Sequence, residues 1–210
     1  DAANRFVPFE YLSILGKPDI LEVDLGDQVQ KDMTIFFSDI RSFTNISEKL
    51  SPKENFDFIN DYLRRVGPVI RENHGFIDKY IGDAVMALFE KSADDAVRGA
   101  LSSLKAVDDF NEYRKQKHEE PIKIGIGLNT GTLMLGTVGE HNRINATVIS
   151  DAVNLASRIE GQTKTYGVEI LITENCFHAL QRPQDFLIRS IDKIKVKRKD
   201  QAVSIYEIFN

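Results

Sequence analysis

From Met33 to Ile40 the chain is almost continuously apolar, rich in β-branched and aromatic residues, and interrupted only near its end by Ser38 and Asp39. Such a run predicts a strand buried on both faces, and it ends at a carboxylate. Before it lie a short apolar segment, Phe6 to Leu15, then Gly16, Pro18 and a polar run to Lys31. These predict an entry segment over residues 1–31 and one domain over 32–210.

Ser51-Pro52 predicts a helix start, with a cap oxygen ahead of a proline at the first helical position. Phe56, Ile59, Leu63, Val66 and Ile70 follow at helical spacing and His74-Gly75 closes the helix. Two short apolar runs, Phe76 to Ile81 and Ala84 to Phe89, flank Gly82-Asp83 and predict a tight hairpin with Asp83 at its tip.

A second helix is expected from Ser92 to about Lys117, and a strand from Ile122 to Asn129. Gly131 is expected to turn the chain back through Leu133 to Gly136. A short strand from Ala146 to Ile149, a helix capped by Ser150-Asp151 and ending near Gly167, and a strand from Glu169 to Ile172 follow. A short helix after Thr173 and a terminal strand pair around Lys193–Lys197 and Val203–Ile208 complete the chain. Hairpins imply antiparallel pairing, and the order lacks regular βα alternation, so the pattern predicts an α+β fold with helices covering a mixed sheet.

Composition narrows the function classes. At 210 residues, 42% hydrophobic and 28% charged, the chain has the usage of one globular domain. A net charge of −5 gives no support to a nucleic-acid-coating surface. Cys176 is the single cysteine, which excludes an internal disulfide, speaks against structural zinc and suits a reducing cytoplasm. No run approaches the ~18 apolar residues of a membrane span. The sequence starts at Asp1 without a methionine, as a piece of a larger protein would.

Asp39 and Asp83 are the first candidates for chemistry. Either alone reads as a turn residue, but paired strands would bring the two carboxylates together, and two such donors suit Mg²⁺ or Mn²⁺. Asn154 and Arg158 lie one helical turn apart on the same face, where an amide and a guanidinium can grip a sugar and a phosphate. Gly125-Ile126-Gly127 falls in a strand-like run rather than at a helix opening, so these glycines are read as packing residues, not a dinucleotide site. The four histidines show no ligand spacing.

Together, and in this order, these segments resemble the catalytic domain of the class III nucleotidyl cyclases over nearly the whole chain, from about Met33 to Phe209. The resemblance implies a ferredoxin-like core and head-to-tail homodimers whose active sites form between two chains. One chain would supply two divalent metal ions (Mg²⁺ or Mn²⁺) and the other most of the nucleotide grip. It matches Asp39, Asp83 and the backbone carbonyl of Ile40 to the metal ligands, Asn154 to the residue that orients the ribose, and Arg158 to the arginine that stabilises the transition state.

Lys79 and Thr147 match the purine-selecting positions. A lysine donating to adenine N1 and a threonine accepting from N6 favour ATP, whereas a glutamate in place of Lys79 would suit guanine. The Lys/Thr pair is similar to a branch, common in cyanobacteria, that includes bicarbonate-responsive enzymes, which brings bicarbonate in as an implied effector; upstream sensor domains are expected partners of a piece of a larger protein. Lys197 matches the phosphate-gripping lysine and Arg143 is a second candidate for that role. Arg198 and Ser150 stand where many relatives have glycine. The expected activity is an adenylyl cyclase making 3′,5′-cyclic AMP and pyrophosphate from ATP. The alternatives are a guanylyl cyclase, or a catalytically silent dimerisation or nucleotide-sensing module of the same fold.

Overall fold

The computed structural model describes residues 8–140, 143–195 and 202–209. In chain order these form α1 (Phe9–Leu15), β1 (Gln28–Ile40), α2 (Phe43–Ser47), α3 (Pro52–Glu72), β2 (Gly75–Ile81), β3 (Ala84–Phe89), α4 (Ala93–Gln116) and β4 (Ile124–Glu140). There follow β5 (Arg143–Ile149), α5 (Asp151–Tyr166), β6 (Ile170–Thr173), α6 (Glu174–Ala179), β7 (Leu187–Lys195) and β8 (Ala202–Phe209).

The strands make one sheet in the order β2-β3-β1-β4-β6-β8-β7, with β5 added along β4. Every pairing is antiparallel except β4 with β6. β1, α3, β2, β3, α4 and β4 thus form the split βαβ arrangement of a ferredoxin-like fold, with β1 at its centre. The α+β expectation holds.

β1 is buried on both faces because alternate residues serve two cores. Phe36 and Ile40 point toward α3 and α4, packing with Val85, Ala87, Ile124, Ile126 and Leu128. Met33, Ile35 and Phe37 point the other way, toward Tyr11 of α1 and Ala156 of α5. Each fully buried side chain of this size contributes roughly 1.5–3 kcal/mol, so the doubly covered strand is firmly anchored on both faces.

α3 starts on a capping box, Ser51 accepting from the Glu54 N–H while Glu54 accepts from the Ser51 N–H. Its buried stripe is Phe58, Tyr62, Val66 and Ile70. Phe56, assigned to that stripe from spacing, is instead 71% exposed.

Among the stretches that differ from the sequence expectation are the start of β1, the course of β4, the earlier starts of β5 and β7, and the short helix α2. β1 begins at Gln28, not Met33, because Gln28 to Asp32 pair with Gly136 to Thr132 of β4 although one side of this extension faces water. β4 runs straight through Gly131, where a reversal was expected: Gly131 pairs with Met33 and its neighbours Thr130 and Thr132 continue the ladder. β4 continues to Glu140, which pairs with Arg143 of the antiparallel β5.

Among the described residues no helix is long and apolar enough to cross a membrane.

Candidate active site

β1 and the β2–β3 hairpin bring Asp39 and Asp83 to the same end of the sheet. Gly82, at φ 65, takes the first turn position, a left-handed conformation that favours glycine, and Asp83 the second. The backbone N–H of Ile40 donates to Oδ2 of Asp83 at 3.0 Å. The N–H and C=O of a strand residue point to the same edge, so the Ile40 carbonyl also faces the hairpin.

An open groove of ≈ 320 Å³ is lined there by Asp39, Ile40, Asp83, Glu160 and Lys164, with Arg41 to Thr44 closing one side. Burial, then the hydrogen bond and charge of Asp39, pushes the Asp83 carboxyl up to about 7 against the opposing Ile40 N–H. Glu160, on the inner face of α5, is pushed to about 7 by burial and by the charge of Asp39, with Arg41 working against the shift.

Asp39 and Asp83, crowded at the end of the sheet with one carboxyl held above its ordinary value, fit a divalent cation. The donors on offer are carboxylate oxygens and a peptide carbonyl, the hard set that Mg²⁺ and Mn²⁺ prefer. Among the described residues no group of three or more His, Cys, Asp and Glu side chains is gathered closely enough to hold a metal ion by itself.

Lys79 and Thr147 meet in a different groove of ≈ 340 Å³, together with Tyr11, Asp78, Val138, Ile144, Asn145 and Ala146. The two grooves share no lining residue. Asn154 and Arg158 lie on the exposed side of α5 and line neither. Arg143, at the start of β5 opposite Glu140, is exposed and lines neither groove. Lys197 lies outside the described residues.

α5 sits close on β4 because Gly125 and Gly127 lie beneath it. A Cβ on Gly127 would come within 2.3 Å of the Glu160 N and 2.6 Å of the Ala156 O, which bears out the packing role expected of these glycines. That contact is what seats Glu160 beside Asp39. Glu160 was not singled out from sequence, and its only signal was the small residues under the helix that carries it. Tyr11 and Asp78 were missed as well, since neither belongs to a motif.

The sequence model of the adenylate and guanylate cyclase catalytic domain matches residues 26–209. The chain belongs to this family, the class III nucleotidyl cyclase domains. It is 48% identical to an adenylate cyclase of Anabaena cylindrica over 99% of this chain and 43% of that protein. Its identity to the terminal-differentiation-specific adenylate cyclase of Dictyostelium discoideum is 40%, over 99% of this chain and 10% of that one. The chain therefore spans less than half the length of either relative. The crystal structure of the adenylyl cyclase CyaB from P. aeruginosa superposes with a TM-score of 0.74 at 31% identity, covering 87% of this chain and 96% of that one.

Proposed function

We propose that this domain is an adenylyl cyclase that converts ATP to 3′,5′-cyclic AMP and pyrophosphate as a head-to-tail homodimer. The observation that carries this reading is the division of the site: Lys79 and Thr147 share one groove, Asp39 and Asp83 another, and nothing lines both. Neither groove holds a complete set of groups for the reaction. A second copy that places its base-reading groove against the first copy's acidic groove completes the set, with the exposed Asn154 and Arg158 of α5 between them.

Asp39, Asp83 and the Ile40 carbonyl would hold the ions. Two divalent ions, when bound, lower the pKa of the ribose 3′-hydroxyl and offset the charge of the triphosphate. Lys79 donates to adenine N1 and Thr147 accepts from N6, which fixes the base. Asn154 orients the ribose, so that its 3′-oxygen lies in line with the α-phosphorus. The new bond joins the 3′-oxygen to that phosphorus, the bond to the bridging oxygen of the β-phosphate breaks, pyrophosphate departs, and the 3′-hydroxyl proton passes to solvent. Arg158 offsets the charge that builds on the phosphoryl oxygens as the five-coordinate centre forms. Lys197 and Arg143 are the candidates for holding the β- and γ-phosphates. With Cys176 buried and unpaired, a cytoplasmic site with access to cellular ATP suits the domain; upstream sensor domains and a bicarbonate effector would act through this same dimer.

Incubating the purified protein with ATP or GTP and Mn²⁺ and identifying the product tests the reading. Cyclic AMP from ATP is expected. Preferential formation of cyclic GMP would make the domain a guanylyl cyclase, and no product from either nucleotide would make it a silent module.

A further inference from the structure

β2 carries an irregularity whose effect is to aim Lys79. Ile77 and Tyr80 both reach α3: a Cβ on Gly67 would lie 3.4 Å from Cδ1 of Ile77 and 3.6 Å from the Tyr80 hydroxyl. In an uninterrupted strand, residues three apart point to opposite faces. Here the pairing register shifts between Ile77 and Lys79, so Asp78 is an extra residue without a partner on β3. The bulge leaves Asp78 and Lys79 side by side on the face away from α3, where both line the groove shared with Tyr11 and Thr147. Without it, Lys79 would point at the helix.

The carboxylate of Asp78 is 2% exposed. The Tyr11 hydroxyl donates to its Oδ1 at 2.5 Å. Its Oδ2 has no hydrogen-bond partner and lies 3.3 Å from Nζ of Lys79. Tyr11 itself is 1% exposed and packs edge-on against Phe76, ring centroids 6.0 Å apart. A buried carboxylate costs several kcal/mol unless charges and donors compensate it. The compensation here comes from one helix upstream of the sheet and from the lysine of the base-reading groove. A free lysine side chain carries about 2 kcal/mol of rotamer entropy, which a fixed neighbouring carboxylate removes in advance of binding.

We infer that Asp78, locked by Tyr11, is a positioning residue that holds the Lys79 ammonium over the base-reading groove, so that the seating of α1 sets affinity and selectivity for adenine. This rests on the assignment of Lys79 to the base, made above. α1 then belongs to the substrate machinery, and a displacement of this helix changes nucleotide binding without touching the metal groove.

The test is steady-state kinetics of the full chain with ATP and with GTP, on Tyr11→Phe, Asp78→Asn, Lys79→Ala and the double variant Tyr11→Phe/Lys79→Ala. Tyr11→Phe keeps the ring on Phe76 and removes only the hydroxyl. It is expected to raise KM for ATP about fivefold, the scale of one ordinary net hydrogen bond because the effect reaches the base only through Lys79, and to lower the ATP:GTP preference by a similar factor with kcat within about twofold. Asp78→Asn, which keeps the shape and loses the charge, is expected to do the same. In the Lys79→Ala background Tyr11→Phe should add nothing, because its effect passes through the lysine. An unchanged KM and nucleotide preference in Tyr11→Phe and Asp78→Asn, while Lys79→Ala raises KM, overturns the inference and leaves the base assignment standing. So does full additivity in the double variant, or a loss of kcat and thermal stability alone. If Lys79→Ala itself leaves KM and preference unchanged, the base assignment fails and the inference falls with it.

Discussion

The N–H of Ile40 donates to Oδ2 of Asp83 at 3.0 Å, joining the end of β1 to the tip of the β2–β3 hairpin. This bond ties Asp83 to the end of β1 that carries Asp39, and because the N–H and C=O of a strand residue point to the same edge, the Ile40 carbonyl faces the hairpin as well. Asp39→Ala and Asp83→Ala are therefore each expected to lower cyclic AMP formation at least about 100-fold, with circular dichroism and dimer mass unchanged. Full activity in either variant would dismiss the metal assignment.

Arg158 is exposed on α5 and, among the described residues, has no hydrogen-bond or ion-pair partner in its own chain. A guanidinium that acts only as charge develops should be felt in turnover more than in binding. Arg158→Ala is expected to reduce kcat roughly 100-fold and to change KM less than about threefold. A rise in KM alone would make Arg158 a ground-state contact.

Much of this arrangement was legible in the sequence because it is local. The buried run before Asp39, the Gly82-Asp83 turn, the Ser51 and Ser150 caps and the helical register of Asn154 with Arg158 each follow from residues within a few positions of one another. What escaped depends on tertiary pairing. Gln28 to Asp32 become strand only because β4 lies alongside, and Gly131 continues a strand because Thr130 and Thr132 find partners on β1. The bulge at Asp78 leaves no trace in hydrophobic alternation, since its purpose is to direct two polar side chains to one face. Glu160 falls inside an ordinary helical sequence, and only the close seating of α5 on Gly125 and Gly127 turns it toward Asp39.

Lys79 separates the two purine readings. Replacing it with glutamate puts an acceptor where adenine N1 requires a donor and guanine N1 supplies one. Lys79→Glu is expected to lower kcat/KM for ATP roughly 10- to 100-fold and to raise relative use of GTP. Competition between the two nucleotides, scored by product identity, checks this; an unaltered preference would remove Lys79 from base recognition.

The raised carboxyl of Glu160 sets a direction for stability against pH in metal-free protein. Its folded value, about 7, lies above the ordinary glutamate value of 4.5 because burial and the Asp39 charge disfavour ionisation. Below the ordinary value both folded and unfolded chains carry the proton, and the stabilising difference is fully present. As pH rises toward 7 the unfolded chain releases its proton while the folded chain retains it, so Glu160 lowers stability through that interval and adds no further change above it. Thermal melts in chelator from pH 4.5 to 8 should show a smaller decline for Glu160→Gln than for the parent. Parallel curves would mean that Glu160 ionises freely in the fold.

Gly127 gives a test of how the two halves of the site are tied together. A methyl group there would overlap the backbone of α5 at Glu160 N and Ala156 O, at 2.3 Å and 2.6 Å, and no side-chain rotation can relieve a backbone contact. The helix must lift from β4, at a cost of roughly 1–3 kcal/mol or more. It carries Glu160 on its inner face and Asn154 and Arg158 on its outer face, so the shift displaces groups that would serve two different active sites of the dimer. Gly127→Ala is expected to lower the melting temperature by several degrees, taking about 2–4 °C per kcal/mol for a chain of this size, and to reduce kcat by more than the folded fraction accounts for. Loss of activity in strict proportion to unfolding would show that α5 keeps its catalytic face in place even when it moves off the sheet.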